Sequence, residues 1–504
     1  MRYGNSIPAN AGVTVINEGS QESVASIVER RAIYYRAFGI YSEIGGLYDY
    51  GPVGLRIRRN IEEAWRDLFV EHIGALEIET ANMLSEDVLK ASGHVAAFTD
   101  PVAICLNCKT PHRIDKLLEE FYEKKGDAKA AASVKKLDIG QLEEQEERNR
   151  LVCSKCGGKL SKIEKFNLMF KTTVGQGDTV VYLRPETAQS IFLDFKTIFR
   201  SNGLKLPAVI CQVGRAYRNE ISARQQLVRM REFTQMDTEI FFDPELESTD
   251  LGYVKSEHVL KTRVKFISAG EEAEKECLLA DLLKEGKIPN LYFAYLIYLE
   301  KRLLERMGIS EERYRFRQLE KEELPHYSKG NVDLEIATRY GYIEAAGNAH
   351  RGDFDLSNHA KFSGQDLGVI NGTKKTVPQI IEATLGLDRL FFALLDDAFT
   401  EEGREWPWLR LNEKMAPYSY AIFPLQKDEK LIAVSQELHR KLLGRKVACY
   451  YTDTASIGKR YAKADEIGVP RCITVDFQTL EDQTVTVRDR NTTEQVRRKI
   501  DEIA

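Results

Sequence analysis

The chain has 504 residues, of which 43% are hydrophobic and 30% charged, and its formal net charge is −5. This composition is ordinary for a folded protein with a full core, and at ~150 residues per domain the length predicts about three domains. It excludes a disordered chain, a collagen-like fibre and a small disulfide scaffold. The chain as a whole is not a basic nucleic-acid coat, so a nucleic-acid partner would need local basic patches.

The N-terminus and the apolar runs bear on where the protein acts. The opening residues, MRYGNSIPANAG, lack the basic start and apolar run of a secretory signal. No stretch approaches the ~18 apolar residues that are needed to span a bilayer. We therefore expect a cytoplasmic protein with no membrane partner.

The sequence contains two cysteine pairs with the spacing of metal-binding CxxC knuckles. Cys105 and Cys108 form one CxxC pair and Cys153 and Cys156 the other, while the remaining four cysteines are scattered singly. In a cytoplasmic chain two such pairs predict one tetrahedral Zn²⁺ held by four thiolates, in a structural role. The 44 residues between the pairs exceed the usual structural-zinc loop, and two surface turns without metal are the alternative.

The elements up to residue 412 predict a sheet interrupted by helical insertions. Residues 115–150 are rich in Ala, Lys and Glu and predict one or two solvated helices, and residues 246–328 predict a second helical stretch. Strand-like runs occupy 179–184, 208–214, 232–242 and 378–384. This order favours an antiparallel or mixed sheet, and no Rossmann or P-loop glycine signature is present.

The pattern changes near residues 412–417. From there strand-like and helix-like runs alternate to the end, which predicts an α/β unit of about ninety residues with a parallel-type sheet. Residues 415–504 hold 15 lysines and arginines against 13 acids. This small excess is weak support for contact with a polyanion, for which Lys459, Arg460 and Lys463 are candidates or, equally, a solvated helix face.

The segment from Gly214 to Phe233 contains five arginines and no lysine between Arg215 and Arg231. Guanidinium groups are favoured where phosphate or carboxylate is bound bidentately or where a cation stacks on a ring. Arg218 and Glu220 are two apart and are predicted to share a strand face. The next strand places one set of polar and aromatic side chains on one face, namely Arg231, Phe233, Gln235, Asp237 and Glu239. A hairpin with a wet, salt-bridged side is the alternative.

Two further segments carry matching groups. Leu183–Gln189 places Glu186 just after a strand, where a helix begins. Ile381–Arg389 passes from a strand through Gly386 into a helix, which aims backbone NH groups at an anion. Arg389 lies in the first turn, where a cation is disfavoured by the helix dipole, so a bound anion or an ordinary solvent-facing arginine would account for it.

Together these segments resemble the three signature motifs of class II aminoacyl-tRNA synthetases, and specifically the homodimeric glycyl-tRNA synthetase family. The resemblance extends over nearly the whole chain. The segments that carry it are Tyr48–Gly54, Ser92–His94, Arg113 with Asp115, Phe166–Thr172, Leu183–Gln189, 214–233, Asp353–Leu356, Ile381–Arg389, Asp453–Arg460 and Thr484–Arg490.

The resemblance implies an α+β fold with an antiparallel-sheet catalytic domain, helical and zinc-binding insertions, and a C-terminal α/β anticodon-binding domain. The implied division is 1–104, catalytic with motif 1; 105–165, zinc-knuckle insertion; 166–245, catalytic with motif 2; 246–330, helical insertion; 331–412, catalytic with motif 3; and 415–504, anticodon-binding domain. The implied activity is ATP-dependent attachment of glycine to the 3′ end of tRNA(Gly) through glycyl-adenylate, by a homodimer.

The resemblance also assigns an ATP site, with Arg218, Arg389 and Glu344 as its catalytic residues. Arg218 would hold the α-phosphate, Arg389 would sandwich the adenine with Phe233, and Glu344 would ligate Mg²⁺. Glu220 would accept from the adenine amino group, and Arg229 and Arg231 would reach the phosphates. The other members of the implied site are Asn219, Val228, Met230, Glu232, Ala345, Gly386, Leu387 and Asp388.

The implied glycine pocket is formed by acidic side chains around the substrate ammonium. Glu186, Asp237 and Glu382 supply the carboxylates, Thr384 lies beside them, and Arg113 and Arg351 are candidates for the substrate carboxylate. Phe233, Gln235 and Gly386 complete the set. Carboxylates that close the space of a side chain would exclude larger amino acids sterically, so an editing step is not required.

The sequence departs from the family pattern at three places. Asp237 stands where Glu is usual, Glu382-Ala-Thr384 replaces Glu-Pro-Ser, and Ser85 occupies a motif 1 position that often holds proline. The first two changes bear on glycine affinity and keep open a class II synthetase for another small amino acid. A non-catalytic paralogue is disfavoured because the motif arginines and pocket acids are present. Synthesis of diadenosine tetraphosphate is neither supported nor excluded.

Overall fold

The computed structural model describes residues 24–41, 44–134, 137–176, 179–221, 223, 225–325 and 327–503, apart from the side chain of residue 132. The expectation about the first twelve residues therefore lies outside the described part of the chain, as does Arg224 of the arginine-rich segment. Within the described residues, no helix is both long and apolar enough to cross a bilayer.

Helices and strands alternate irregularly along the chain. The helices are α1 Val24–Arg30, α2 Pro52–Arg66, α3 Glu86–Ala91, α4 His94–Ala97, α5 Ile114–Lys124, α6 Ala128–Ser133, α7 Ile139–Asn149, α8 Ala188–Ser201, α9 Ser256–Leu260, α10 Leu279–Lys284, α11 Leu291–Met307, α12 Phe354–Ser363, α13 Leu387–Ala398, α14 Glu429–Gly444, α15 Ile457–Glu466 and α16 Phe477–Asp482.

The strands are short except in the central sheet. They are β1 Tyr34–Arg36, β2 Tyr48–Tyr50, β3 Leu76–Ile78, β4 Met83–Ser85, β5 Thr99–Ile104, β6 Pro111–Arg113, β7 Glu164–Asn167, β8 Lys171–Val174, β9 Thr179–Leu183, β10 Ala208–Tyr217, β11 Glu232–Phe242, β12 Arg263–Ile267, β13 Lys275–Leu278, β14 Tyr314–Gln318, β15 Asn331–Thr338, β16 Gly341–Gly352, β17 Val369–Asn371, β18 Lys374–Thr376, β19 Gln379–Gly386, β20 Phe399–Thr400, β21 Trp408–Leu409, β22 Tyr420–Pro424, β23 Cys449–Tyr451, β24 Arg471–Val475, β25 Thr484–Asp489 and β26 Gln495–Lys499.

A nine-stranded sheet forms the centre of the molecule, in the order β13-β12-β14-β15-β16-β19-β11-β10-β3. Adjacent strands in this sheet are antiparallel, except for the pairs β3–β10 and β12–β14, which are parallel. The predicted antiparallel or mixed sheet is confirmed. In the register of β11 against β19, Asp237 lies opposite Thr384 and Glu239 opposite Glu382. This register brings acidic residues that are distant in sequence side by side.

The two faces of β11 pack against different helices. Met236 and Ile240 belong to the large core formed with α2, α11 and α13. Phe241 points the other way and stacks on Phe195 of α8, with ring centroids 3.8 Å apart. Because side chains alternate along a strand, Asp237 and Glu239 share the face covered by α8. At Asp237 and Glu239 the polar face of the hairpin is therefore enclosed, whereas the alternative from the sequence was a wet face.

The stretch 246–330 differs from the helical prediction. It contains α9, α10 and α11, but also β12, β13 and β14, which extend the central sheet at one edge. In β12 the buried Val264 and Phe266 alternate with less buried residues, a period-2 pattern confined to five residues. Because this alternation is so short, the stronger helical periodicity of α11 dominates the prediction for the whole stretch.

The knuckle region contains the predicted helices, as α5, α6 and α7, beside a small sheet in the order β6-β5-β7. The tail forms a five-stranded sheet, β23-β22-β24-β25-β26. The parallel-type prediction is half right: β22 is parallel to β23 and β24, but β25 is antiparallel to both its neighbours. The last segment forms the exposed edge strand β26, since a hairpin after β25 returns the chain alongside it.

Candidate active site

The loop between β10 and β11 carries the first part of the site. Arg218 and Glu220 lie beyond the end of β10 and not on a strand, which corrects the shared-strand prediction. The Arg218 guanidinium lies 5.2 Å from the ring centre of Phe233 and donates from Nε to the carbonyl of Pro185 at 3.1 Å. Glu220 accepts a hydrogen bond from Arg229 at 2.7 Å. The loop therefore holds its charged side chains in fixed positions.

These side chains face an open cleft with a volume of about 110 Å³ above β11, β16 and β19. Eleven of the fifteen residues expected at ATP line it, together with Gln235 and Thr384 of the expected glycine pocket and two residues not expected at all, Leu227 and Thr234. The eleven are Arg218, Glu220, Val228, Arg229, Met230, Phe233, Glu344, Ala345, Gly386, Asp388 and Arg389.

The other four expected residues lie outside the lining. The Arg231 side chain donates to the carbonyls of Gly45 and Glu220, and Leu387 is fully buried in the large core. Glu232 lies 3.6 Å from Arg215, and the backbone N–H of Asn219 donates to the carbonyl of Leu168. Among those that do line the cleft, Asp388 is already bonded to Tyr50 and to the Thr234 amide.

Arg389 lies at the start of α13, as the strand–glycine–helix pattern predicts. Its guanidinium donates to the carbonyl of Glu344 at 2.6 Å and to that of Val228 at 3.1 Å. These two hydrogen bonds fix the guanidinium between β16 and the loop, at the lining of the cleft. An arginine fixed in this way presents a planar cation on which a ring can stack.

Glu344 is accompanied by a second acid that the sequence reasoning missed. Asp333 on β15 is largely buried, and burial followed by repulsion from Glu344 raises its pKa to about 8. Oδ1 of Asp333 and Oε1 of Glu344 both lie 3.8 Å from where a Cβ on Gly347 would be. A carboxyl with so high a pKa gains from a nearby cation, so the two acids suit a hard divalent ion.

The three acids of the expected glycine pocket come together beneath the cleft. Asp237 is fully buried, accepts a hydrogen bond from the Thr187 hydroxyl, and has its second oxygen unbonded. Glu382 accepts from Thr384 at 2.9 Å and pairs with Arg351. Glu186 lies 3.4 Å from His94 and 3.8 Å from Arg351. The pocket thus combines an excess of carboxylates with a buried counter-charge.

The pKa values of these acids differ because their neighbours differ. Burial, followed by repulsion from Glu382, raises the pKa of Asp237 to about 7. Burial also raises the pKa of Glu382 despite Arg351. For Glu186 burial acts in the same direction, but His94 and Arg351 outweigh it and hold the pKa well below its ordinary value. A cationic substrate group would bring Asp237 back to its charged form.

The two arginines expected at the substrate carboxylate are both paired with acidic side chains of the protein. Arg351 is 1% exposed, pairs with Asp355 at 2.7 Å and with Glu382, and lies over the ring of Tyr327 at 3.8 Å. Arg113 pairs with Asp100 at 3.1 Å and with Asp115. Arg351 therefore offsets the charge of the pocket acids, and Arg113 is held by Asp100 and Asp115.

Several supporting residues were named only as parts of motifs. His94 contacts Glu186 and is held by Ser92 at 2.8 Å. Gln189 donates from one amide nitrogen to Glu186 at 2.9 Å and to Asp355 at 3.0 Å. Their positions in the Ser-Gly-His and Pro-Glu-Thr-Ala-Gln motifs are the only features of the sequence that indicate a role at the site. Single-residue chemistry does not distinguish such side chains from ordinary core polar groups.

The four knuckle cysteines meet in space. Their sulfur atoms all lie within 4.8 Å of one another, with Cys105 3.5 Å from Cys156 and Cys108 3.6 Å from Cys153. Tetrahedral zinc with Zn–S bonds of ~2.3 Å needs sulfur atoms about 3.8 Å apart, so the set fits. The hydrogen bond between the Cys108 sulfur and the Thr110 hydroxyl is the first cause of a Cys108 pKa lowered to about 6, which favours the thiolate.

A glycine and a histidine complete this cluster. A Cβ at Gly158 would lie 3.0 Å from the Cys105 sulfur and 2.8 Å from Cβ of Asn107, so the turn tolerates no side chain. His112 Nε2 lies 3.1 Å from the Cys153 sulfur. Both features are typical of a compact thiolate site.

One of the candidate phosphate-binding residues of the tail, Arg460, is buried. Arg460 is 3% exposed and its guanidinium donates to the carbonyl of Pro424. It therefore supports the fold of the tail and is not available to phosphate. Lys463 lies over the ring of Tyr450 at 5.1 Å.

Comparisons with known proteins agree with this arrangement. Residues 170–262 match the family described as the tRNA synthetase class II core domain (G, H, P, S and T), and 419–504 match the anticodon binding domain. The chain is 36% identical to a glycine–tRNA ligase of Pyrococcus horikoshii and 34% identical to one of Methanocaldococcus jannaschii, covering 96% of this chain and 97% of each relative. The match to the anticodon binding domain begins four residues after the boundary at 415.

The fold is similar to that of a solved structure of low identity. Giardia lamblia prolyl-tRNA synthetase in complex with prolyl-adenylate matches with a TM-score of 0.59 and 12% identity, over 95% of this chain and 75% of that one. At that identity the match concerns the fold alone, and it confirms the class II architecture.

Proposed function

The chain belongs to the glycine–tRNA ligase family, and we propose that it attaches glycine to the 3′ end of tRNA(Gly) through an adenylate formed from ATP. The observation that carries this proposal is the meeting of three carboxylates, Glu186, Asp237 and Glu382, beneath a cleft lined by Arg218 and Arg389. A small cationic substrate group fits the acids, and an anionic, ring-bearing nucleotide fits the cleft.

In the first step the glycine carboxylate attacks the α-phosphate of ATP, an acyl–phosphate bond forms, and pyrophosphate leaves. Arg218 lies at the cleft and supplies positive charge where the transition state becomes more negative. Phe233 and Arg389 hold the adenine between a ring and a planar cation, and Glu220 accepts from its amino group. These side chains position and stabilise, and none forms a covalent bond with the substrate.

Mg²⁺ fits Glu344, which lines the cleft, together with the neighbouring Asp333. Glu344 and Asp333 would hold the ion, since hard cations take carboxylate oxygens. When bound, the ion supplies positive charge to the phosphates of ATP.

Selectivity for glycine follows from the crowded acids. The ammonium lies among Glu186, Asp237 and Glu382, while Arg351 offsets part of their charge. A methyl group in this space would collide with side chains fixed by Thr187 and Thr384, and an enclosed site has no room to yield. In the second step a hydroxyl of the terminal ribose of the tRNA attacks the glycyl carbonyl and releases AMP.

The remaining parts of the molecule have supporting roles. The cysteine cluster holds structural Zn²⁺ and braces the 105–165 insertion near the acceptor end of the tRNA. The protein acts in the cytoplasm as a homodimer, and the tail at 415–504 contacts the anticodon. The division at 104, 165, 245, 330 and 412 is part of the proposal. The boundary at 165 lies within β7, and β12–β14 join the helical insertion to the central sheet.

A second candidate is the activation of another small amino acid, which the departures from the family pattern at Asp237 and Thr384 keep open. Amino-acid-dependent ATP–pyrophosphate exchange with glycine, alanine and serine, in the absence of tRNA, tests both. We expect exchange with glycine alone. Exchange with alanine or serine would reassign the substrate, and no exchange by folded, zinc-containing protein would refute the catalytic function.

A further inference from the structure

Helix α15 of the tail ends in two adjacent buried acids, Asp465 and Glu466. They are 0% and 5% exposed, and neither belongs to the cleft or to the cysteine cluster. Buried carboxylates are retained only where cations or donors surround them. Their partners come largely from the catalytic part of the chain.

Asp465 connects the tail to the segment between β20 and β21. Arg488 of the tail binds it bidentately, at 2.9 and 3.0 Å. From the catalytic side, Arg404 lies 2.7 Å away and is itself 4% exposed, and the Trp406 indole donates at 3.3 Å. One carboxylate thus joins two regions of the molecule.

Glu466 makes the same kind of connection to the start of the described chain. Its two oxygens pair with Arg30, at 2.9 Å, and with Arg31. These arginines lie at the end of α1, whose apolar residues pack into the large core beside α2. The carboxylate pair Asp465–Glu466 is therefore fixed to two separate segments of the catalytic domain.

The surrounding contact is tight. A Cβ on Gly468 would lie 2.6 Å from a methyl of Leu411, and the Arg490 guanidinium donates both to the Gly468 carbonyl and to the Leu411 carbonyl, at 2.7 and 2.6 Å. Close packing combined with directional ion pairs allows few relative orientations of two bodies.

We propose that Asp465 and Glu466 are positioning residues that set the orientation of the tail, and hence the distance from a bound anticodon to the reaction centre. This inference rests on the proposed function, because it concerns the delivery of tRNA to the cleft. Activation of glycine needs only the cleft, so the carboxylate pair acts on transfer to full-length tRNA and leaves adenylate formation unchanged.

The test uses the full chain with Asp465→Asn and Glu466→Gln, which keep the size of each side chain. Asp501→Asn is the matched control, since Asp501 pairs with Lys441 within the tail on its surface. Three rates are compared: glycine-dependent ATP–pyrophosphate exchange, glycylation of full-length tRNA(Gly), and glycylation of a minihelix that contains only the acceptor stem. Thermal unfolding of each variant reports its folding.

We expect kcat/KM for full-length tRNA to fall on the order of tenfold, since misplacing a substrate by about 1 Å has effects of this size or larger. Exchange and minihelix charging should stay unchanged, and Glu466→Asp should recover part of the loss. Unchanged full-length charging, or equal losses in all three rates, would overturn the inference. Unmodified protein without glycine-dependent exchange would refute the proposed function and the inference with it.

Discussion

Arg218 is the residue whose chemistry depends most on geometry, because a planar guanidinium is fixed between Phe233 and the Pro185 carbonyl. Arg218→Lys keeps the positive charge but loses the planar guanidinium, and with it the bidentate hydrogen bonding and the contact with the Phe233 ring. We expect kcat for ATP–pyrophosphate exchange to fall on the order of a hundredfold, as for loss of a transition-state donor. Arg215→Lys, at a half-exposed pair with Glu232, should change kcat by less than about twofold. Equal effects of the two would contradict the role of Arg218.

If Asp237 binds the glycine ammonium as proposed, we expect glycine binding to depend on pH. Its pKa is raised to about 7, whereas the ammonium of glycine requires the charged carboxylate. Between pH 6 and 8 the ionised fraction rises about tenfold, so KM for glycine should fall by a similar factor. Pyrophosphate exchange measured across this range tests the expectation, with KM for ATP as the internal control. In Asp237→Asn the affinity should be low and no longer depend on pH.

The same carboxyl affects the stability of the glycine-free protein. Since its folded pKa exceeds the unfolded value, its contribution to stability is present at low pH and is lost as the pH rises through about 7. Thermal unfolding should therefore show a larger gain in Tm for Asp237→Asn at pH 8 than at pH 5. A gain that does not depend on pH would show that Asp237 is not the titrating group.

At the scale of elements, the knuckle insertion depends on its four thiolates. Cys156→Ser should lower bound zinc from about one ion per chain and expose the insertion to protease, because metal binding and folding are coupled in such sites. Cys277→Ser, at a cysteine outside the cluster, should leave both unchanged. Zinc content by elemental analysis and limited proteolysis provide the measurements. Full zinc content in Cys156→Ser would contradict the four-thiolate site.

The secondary structure could be predicted from the sequence where a periodic pattern of apolar residues extends over many residues. Residues 232–242 form β11 as expected, and the strand–glycine–helix pattern at Ile381–Arg389 is confirmed in β19 and α13. The prediction failed for β12 to β14 and for the antiparallel half of the tail sheet. A short strand contains too few residues to show a clear alternation of apolar and polar side chains. The strand with which it pairs depends on contacts between segments that are distant in sequence.

At the scale of the whole molecule, residues 35–41 and residue 44, which lie in β1 and between β1 and β2, expose a set of apolar side chains. Tyr35, Phe38, Ile40, Tyr41 and Ile44 are between 48% and 89% exposed. Contiguous apolar side chains on a surface are typical of contact sites, and a second copy of the chain is the partner that the homodimer proposal supplies.

Sedimentation should accordingly give about twice the chain mass of 57.4 kDa. Ile40→Asp should shift the protein toward monomer by placing a charge in an apolar contact. Ile370→Asp alters an isoleucine of similar exposure on a different hairpin and should have no effect. A monomer in the unmodified protein would refute the dimer, and a dimer unaffected by Ile40→Asp would place its interface elsewhere.

The sequence by itself determined the composition class, the two knuckles, the long strands and the ordered motifs by which the chain resembles its family. These features depend on neighbours in the chain, and eleven of the fifteen residues expected at ATP do line the cleft. Only the tertiary structure decided that Arg351 is bound among the pocket acids, that Arg460 is buried, and that Asp465 and Glu466 join the domains. Charge partners and burial depend on which distant segments meet, and residue type and spacing do not carry that information.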